Sequence, residues 1–344
     1  ANRQRQGCRS KPDSFLCADR GLRHFHTLLP STAGNRLLEG TARAHVRHIY
    51  SMSAKNILIC HRGALGDFIL TWPALSSLKE LLPDASFTGV GRPELMRLAV
   101  KMGLIGSFHD AERADMLPFF EGVRLPFDMP PPAGAVLWLR NADKLASMLS
   151  SAATLPVAVI PSLPARRIHA AVHHLRALAS CYPITIPLDV NSCCRRLNVE
   201  RGGDVLIHPG SGGAAKIFAP TLYLEIRRML REFGVRRVKF VFGPAEIERG
   251  LTGRYEGEEN IRPPDLCELA EHLSSARLYI GNDSGVSHLA GMLGVPTVAF
   301  FRSTDPAIWG ILGPKACNYR VAGEDEALEA IKGYLKERIE KGAL

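Results

Sequence analysis

No apolar run in the 344 residues approaches the roughly eighteen that a helix needs to cross a bilayer, so membrane contact is expected only at the lipid surface. Metal-ligand spacing is missing as well. The eight cysteines are scattered, none stands in a C-x-x-C pair or beside histidine at ligand spacing, and Cys193 and Cys194 are adjacent. This excludes a zinc-built module and fits a reducing cytoplasm. There is no G-x-G-x-x-G with an acidic ribose reader, no G-K-[ST] and no D-x-D. A dinucleotide fingerprint and a Walker loop are therefore unsupported, and nothing calls for a metal or other cofactor, magnesium included. Methionine is absent before Met52, and the leader has no unbroken apolar stretch of the kind a signal peptide needs.

What is present is an ordinary globular composition, 46% apolar, in a chain long enough for two domains with two cores. The net charge of +9 is concentrated at one end. Residues 1–51 carry nine Lys or Arg against Asp13, Asp19 and Glu39, which leaves +3 for the remainder. A nucleic-acid-binding arm, an organelle transit peptide and translated upstream sequence all fit such a leader. No helical or strand period persists through it, so residues 1–51 are expected to be a disordered or non-native extension, with Met52 as the natural start and no nucleic-acid partner.

From Asn56 onward the pattern is strong. An apolar run "NILIC", a glycine-punctuated loop "HRGALGD" and a helical stretch "FILTWPALSSLKELLP" are followed by "SFTGVG", the helix "PELMRLAVKMGL" and two further strands, "GAVLWL" and "PVAVIP". The same plan restarts at "DVLIHPGSGG" and runs through "VKFVFGP" and "RLYIG" to "VPTVAFF". Strands alternating with helices imply parallel sheets covered on both faces. The expectation is α/β, two doubly wound domains facing across a cleft: residues 52–185, a linker at 186–202, residues 203–320, and a C-terminal helix at 321–344 packing back on the first domain. Ligands in such sheets bind beyond the carboxyl ends of the strands, where the glycine-rich loops emerge.

Three of those loops could carry chemistry. In "HRGALGD", Gly63 and Gly66 allow close approach and Asp67 opens a helix, where it serves equally well as a cap. A carboxylate there should have a lowered pKa. In "HPGSGGAAKIFAP", small residues expose amides around Ser211 and Gly212, and Lys216 follows; these are the parts of a phosphate cradle, or of a plain surface turn. In "IGNDSGVSHL", Ser284 is a candidate N-cap whose helix presents its positive end to an anion, with His288 one turn in, either at the site or packed.

The segments "ILICHRGALGDFILTWPAL", "VLIHPGSGGAAKIFAP", "FVFGPAEIE" and "LYIGNDSGVSHLAGMLGVPTVAFFRSTDPAIWG" resemble, in order and spacing, glycosyltransferase family 9, the ADP-heptose:lipopolysaccharide heptosyltransferases. The resemblance runs from Met52 to the C-terminus. It implies a GT-B fold of two Rossmann-like domains and an inverting transfer of heptose from a nucleotide-sugar donor to a lipopolysaccharide inner-core acceptor, at or near the cytoplasmic membrane surface. It assigns Asp67 as general base. Ser211, Gly212, Lys216, Glu246, Asp283, Ser284, Gly285 and His288 become donor-binding residues. Gly66, Arg166 and Arg167 are expected on the acceptor side, the arginines in a basic last helix with His169, His173 and His174. His61, Phe218 and Arg302 depart from the family pattern, and Arg302 bears most on the sugar pocket. Two other readings stay open: a GT-B transferase or epimerase acting on another nucleotide sugar, and a non-catalytic sugar-nucleotide or glycan-binding protein, against which Asp67 argues.

Overall fold

The fold, seen in a computed structural model, is described for residues 55–200 and 202–342. The leader, and with it the expectation for residues 1–51, lies outside the described residues. The first lobe opens with β1 (Asn56–His61), which emerges as a buried central strand. The helical stretch after it is two helices, α1 (Leu65–Leu70) and α2 (Trp72–Leu81), rather than one. Pro73 has no N–H for the ladder, so the chain turns at Thr71, whose hydroxyl donates to Phe68 O at 2.7 Å. β2 (Ser86–Gly91), α3 (Pro93–Lys101), β3 (Ser107–Asp110), α4 (Leu117–Phe120), β4 (Gly134–Trp138), α5 (Asp143–Ala152), β5 (Val157–Val159) and α6 (Ala170–Ala179) complete it. The sheet order is β3-β2-β1-β4-β5, all parallel, with Ile57 beside Phe87 on one side and Gly134 on the other.

The second lobe repeats the plan: β6 (Val205–His208), α7 (Pro220–Glu232), β7 (Val238–Val241), α8 (Pro244–Glu248), β8 (Asn260–Ile261), α9 (Leu266–Ser275), β9 (Leu278–Asn282), α10 (Gly285–Met292), β10 (Thr297–Phe301), α11 (Pro306–Trp309), β11 (Ala316–Arg320) and α12 (Glu324–Glu340). Its parallel order is β11-β10-β9-β6-β7-β8. In each lobe the order reverses beside the first strand, so the loop after β1 and the loops after β6 and β9 leave at the points where a crevice must form.

Two expectations need correction. The C-terminal helix does not reach the first lobe; Ala327, Ile331, Tyr334 and Leu335 of α12 share a core with Leu222, Ile226 and Leu230 of α7, in its own lobe. Nor are the cores separate. One apolar cluster runs from Ile57, Leu75 and Leu98 in the first lobe through Leu269, Leu289 and Met292 in the second, because α1 packs on α10 and α3 on α9. The expected linker is also less loose than its composition suggested. It carries a short 3-10 turn, Val190–Cys193, and Arg195 is tied to both lobes: its backbone N–H donates to Met292 O at 2.7 Å, and its guanidinium to Met102 O at 3.1 Å and Ser76 Oγ at 3.0 Å. The six described cysteines form no disulfide, and no helix among the described residues is long and apolar enough to cross a membrane.

Candidate active site

Asp67 is the third residue of α1, and Ala64 rather than Asp67 takes the N-cap position. The expected lowering of its pKa is not found. Burial pushes the carboxyl above its ordinary value; the Ala64 amide, hydrogen-bonded to it, and the charge of Lys216 oppose that push, and Asp283 adds to it. Desolvation outweighs the helix terminus because α1 is short and covered by the other lobe. That cover is close. A Cβ on Gly66 would lie 3.1 Å from His288 Cδ2, and one on Gly285 would lie 2.8 Å from Leu65 Cβ and 3.1 Å from Gly66 N. Residues from the two halves, predicted from separate motifs, thus meet at one place.

Opposite Asp67, the loop after β6 and the loop after β9 are stapled together. Ser211 Oγ donates to Asp283 O at 2.7 Å, and the buried Asn282 donates through Nδ2 to Pro209 O at 2.9 Å while accepting from the Tyr223 hydroxyl. Ser284 caps α10, accepting from Ser287 N at 3.3 Å, as its position predicted. Asp283 is buried and would be costly uncompensated; Lys216 Nζ sits 2.7 Å from its Oδ2, and Thr304 Oγ1 donates to the same oxygen. His288 Nε2 is 3.8 Å from Asp283 Oδ1; burial holds the imidazole down at about 4, opposed by that carboxylate, and its Nδ1 has no partner.

Glu246 lies under the same loop, its Oε1 2.2 Å from the place that a Cβ on Gly210 would take, so a larger residue there would displace the Glu246 carboxylate. Burial would raise its carboxyl, yet His208 at 3.7 Å and the Gly243 amide at 3.0 Å bring it below the usual range. Gly212 keeps open space around its Cα, and Arg249 Nη1 donates to Ser211 O at 3.0 Å. Beside Glu246 and His208 opens a cavity of about 520 Å³ walled by both lobes, Leu65, Arg92 and Leu95 on one side and Val241, Pro244 and Leu266 on the other. Sequence reading missed this cavity, Arg249, Tyr223 and Thr304. Arg249 and Tyr223 act through residues remote in the chain, while Thr304 lies within the last quoted segment but its partner Asp283 could not be read from it.

The basic segment is corrected. Arg166 and Arg167 precede α6, and His173 and His174 are buried instead of lining a basic face: His173 Nε2 is 2.8 Å from Pro161 O, and His174 meets Trp138 edge-on. Arg166 is exposed, while Arg167 Nε is 2.8 Å from Asp305 Oδ2 across the cleft. Of the three departures, His61 is buried against Phe68, and Arg302 lies over the Phe218 ring at 5.3 Å while donating to Ile217 O at 3.2 Å.

Two parallel α/β lobes facing across such a cleft make this a protein of the GT-B class. Residues 186–333 match the model of Glycosyltransferase family 9 (heptosyltransferase). Over 126 residues it is 29% identical to lipopolysaccharide heptosyltransferase 1 of Escherichia coli, covering 35% of this chain and 38% of that protein. Over 148 residues it is 30% identical to the protein of the same name from Pseudomonas aeruginosa, covering 37% and 41%. The chain thus spans about two fifths of the length of these curated relatives. The solved E. coli heptosyltransferase WaaC with ADP superposes with a TM-score of 0.63 at 19% identity, over 82% of this chain and 99% of that one, a likeness of fold.

Proposed function

We propose that the chain transfers a heptose from ADP-heptose to a lipopolysaccharide inner-core sugar, Kdo or heptose, by a single inverting displacement at the cytoplasmic membrane surface. One observation carries this reading: the half-buried Asp67 faces the Lys216, Asp283 and Ser284 cluster directly across the lobe contact. In the proposed step the acceptor oxygen attacks the anomeric carbon, Asp67 takes its proton, and the bond from that carbon to the β-phosphate oxygen breaks with its electron pair leaving on ADP. A raised pKa makes Asp67 a stronger base than an ordinary carboxylate. The leaving diphosphate would be held by the α10 amides, Ser211, Gly212 and Lys216, with Lys216 exchanging Asp283 for phosphate; this scheme needs no metal. His288, buried with a free Nδ1, would complete the donor side, Glu246 would take ribose hydroxyls, and the adjoining cavity the base. Gly66 and Arg166 would face the acceptor, and Arg167 would join them by leaving Asp305.

The test is a donor screen with ADP-heptose and with UDP- and GDP-sugars against a Kdo-lipid A acceptor, reading the product's anomeric configuration. Transfer from ADP-heptose with inversion is expected, and Asp67→Asn should slow it by about 10²–10⁴ with donor binding kept. Transfer from UDP- or GDP-sugars alone would replace the donor assignment. Undiminished turnover in the variant would remove the base.

A further inference from the structure

Large apolar side chains left in solvent are usually single and need no explanation. One group here is not scattered. Leu117, Val123 and Phe127 are 62%, 66% and 102% exposed and fall together in the segment joining β3 to β4. The segment is anchored from beneath, since Met116, Phe119 and Met129 are buried in the core of the first lobe and Val123 N donates to Pro118 O at 2.9 Å. Its exposed residues are therefore held outward by a fixed base. It leaves the same end of the sheet as the Asp67 loop, and Arg62 of that loop lies over the Phe120 ring at 4.6 Å. The surface borders the acceptor side of the cleft.

Its charges are also arranged. Arg113 engages both Asp115 and Asp128, with Nη1 2.8 Å from Asp128 Oδ2, and His109 Nδ1 is 3.6 Å from the same oxygen. Two of the local acids are thereby neutralised within the protein. Arg62 and Arg124 form no ion pair among the described residues, and both are exposed. An apolar tip flanked by guanidiniums that hold no carboxylate among the described residues matches a bilayer surface, with acyl chains below a layer of headgroup phosphate.

We propose that Leu117, Val123 and Phe127 insert the first lobe into the bilayer that carries its acceptor, with Arg62 and Arg124 resting on headgroup phosphates. The proposal builds on the reading of a lipid-linked acceptor given above, and it places lipid contact at residues 117–127 rather than at the 166–176 segment.

The full chain is sedimented with vesicles of equimolar phosphatidylglycerol and phosphatidylethanolamine, at salt high enough to screen the basic residues of the leader. The native chain should bind, and the double variant Val123→Ser, Phe127→Ser should bind about tenfold or more weakly with unchanged circular dichroism. A separate Phe127→Trp chain should show vesicle-dependent emission at shorter wavelength. Transfer to a vesicle-embedded acceptor should fall in the double variant, while transfer to a delipidated, water-soluble acceptor should not. Equal vesicle binding by the double variant, or tryptophan emission from the Phe127→Trp chain that vesicles leave unmoved, overturns the proposal. So does a concentration-dependent dimer that the double variant abolishes, which would make the face a self-contact. Vesicle binding needs no donor: if it tracks the variants while no sugar is transferred, the docking surface stands and the proposed reaction falls.

Discussion

Asp67 must be ionised to act as a base, yet its surroundings favour the protonated form. The acid limb of kcat should therefore lie above the ordinary carboxylate value of 3.8. The sign for stability is the reverse. A carboxyl whose folded pKa exceeds the unfolded one stabilises the fold only while protonated, and that contribution is lost as pH rises through the folded value. Asp67→Asn should accordingly raise the thermal midpoint at neutral pH by about 1–3 °C while removing transfer; an unchanged or lower midpoint in a calorimetric scan contradicts it. The buried histidines act oppositely. Burial lowers His61 and His288 to about 4 and His174 to about 3, the neighbouring histidines contributing at His174. Folded pKa values below the unfolded 6.5 give stability that is complete above that pH and declines as pH falls toward 4. His174→Gln should move the midpoint of acid unfolding down by roughly half a pH unit, read by fluorescence. At this scale Asp67, Ser211 and Ser284 stood out in the sequence because each is a polar residue beside glycine soon after an apolar run. The rise in the Asp67 pKa did not, because the burial that causes it comes from the other half of the chain.

At the scale of the element, α1 and α10 meet at their first turns through Gly66 and Gly285, with no room for a methyl group at Gly285. Gly285→Ala would drive its Cβ against Leu65 Cβ, an atom fixed to the backbone, so the lobes must separate. We expect a loss of about 1–3 kcal/mol in urea unfolding, and transfer more reduced than donor binding, because the base and the donor cluster move apart. A raised donor KM with kcat unchanged would point to donor binding alone. Most elements could be read from period and punctuation. The exceptions have physical reasons: α1 and α2 share one helical pattern that Pro73 divides, β3 and β8 are too short to show alternation, and β11 is a partly exposed edge strand. The segment at 166–176 misled because its histidines look polar in sequence, whereas His173 and His174 are buried inside the lobe, His173 against Pro161 O and His174 against Trp138.

For the whole molecule, the doubling of the strand–helix plan revealed two lobes, but not that they share a core. Apolar residues on α1, α3, α9 and α10 read equally well as intra-lobe packing, and only the docked pair shows what they face. Arg195 fastens this arrangement from behind, with three hydrogen bonds to two lobes. Arg195→Met should cost on the order of 2 kcal/mol in denaturant unfolding and increase proteolysis in the 186–202 stretch; an unaltered cleavage rate would show that the arginine is not what restrains it. Arg195 and the glycine contact of Gly66 with Gly285 thus join the lobes through two separate sets of residues. A change at either tie therefore acts on the lobe contact as a whole rather than on one lobe.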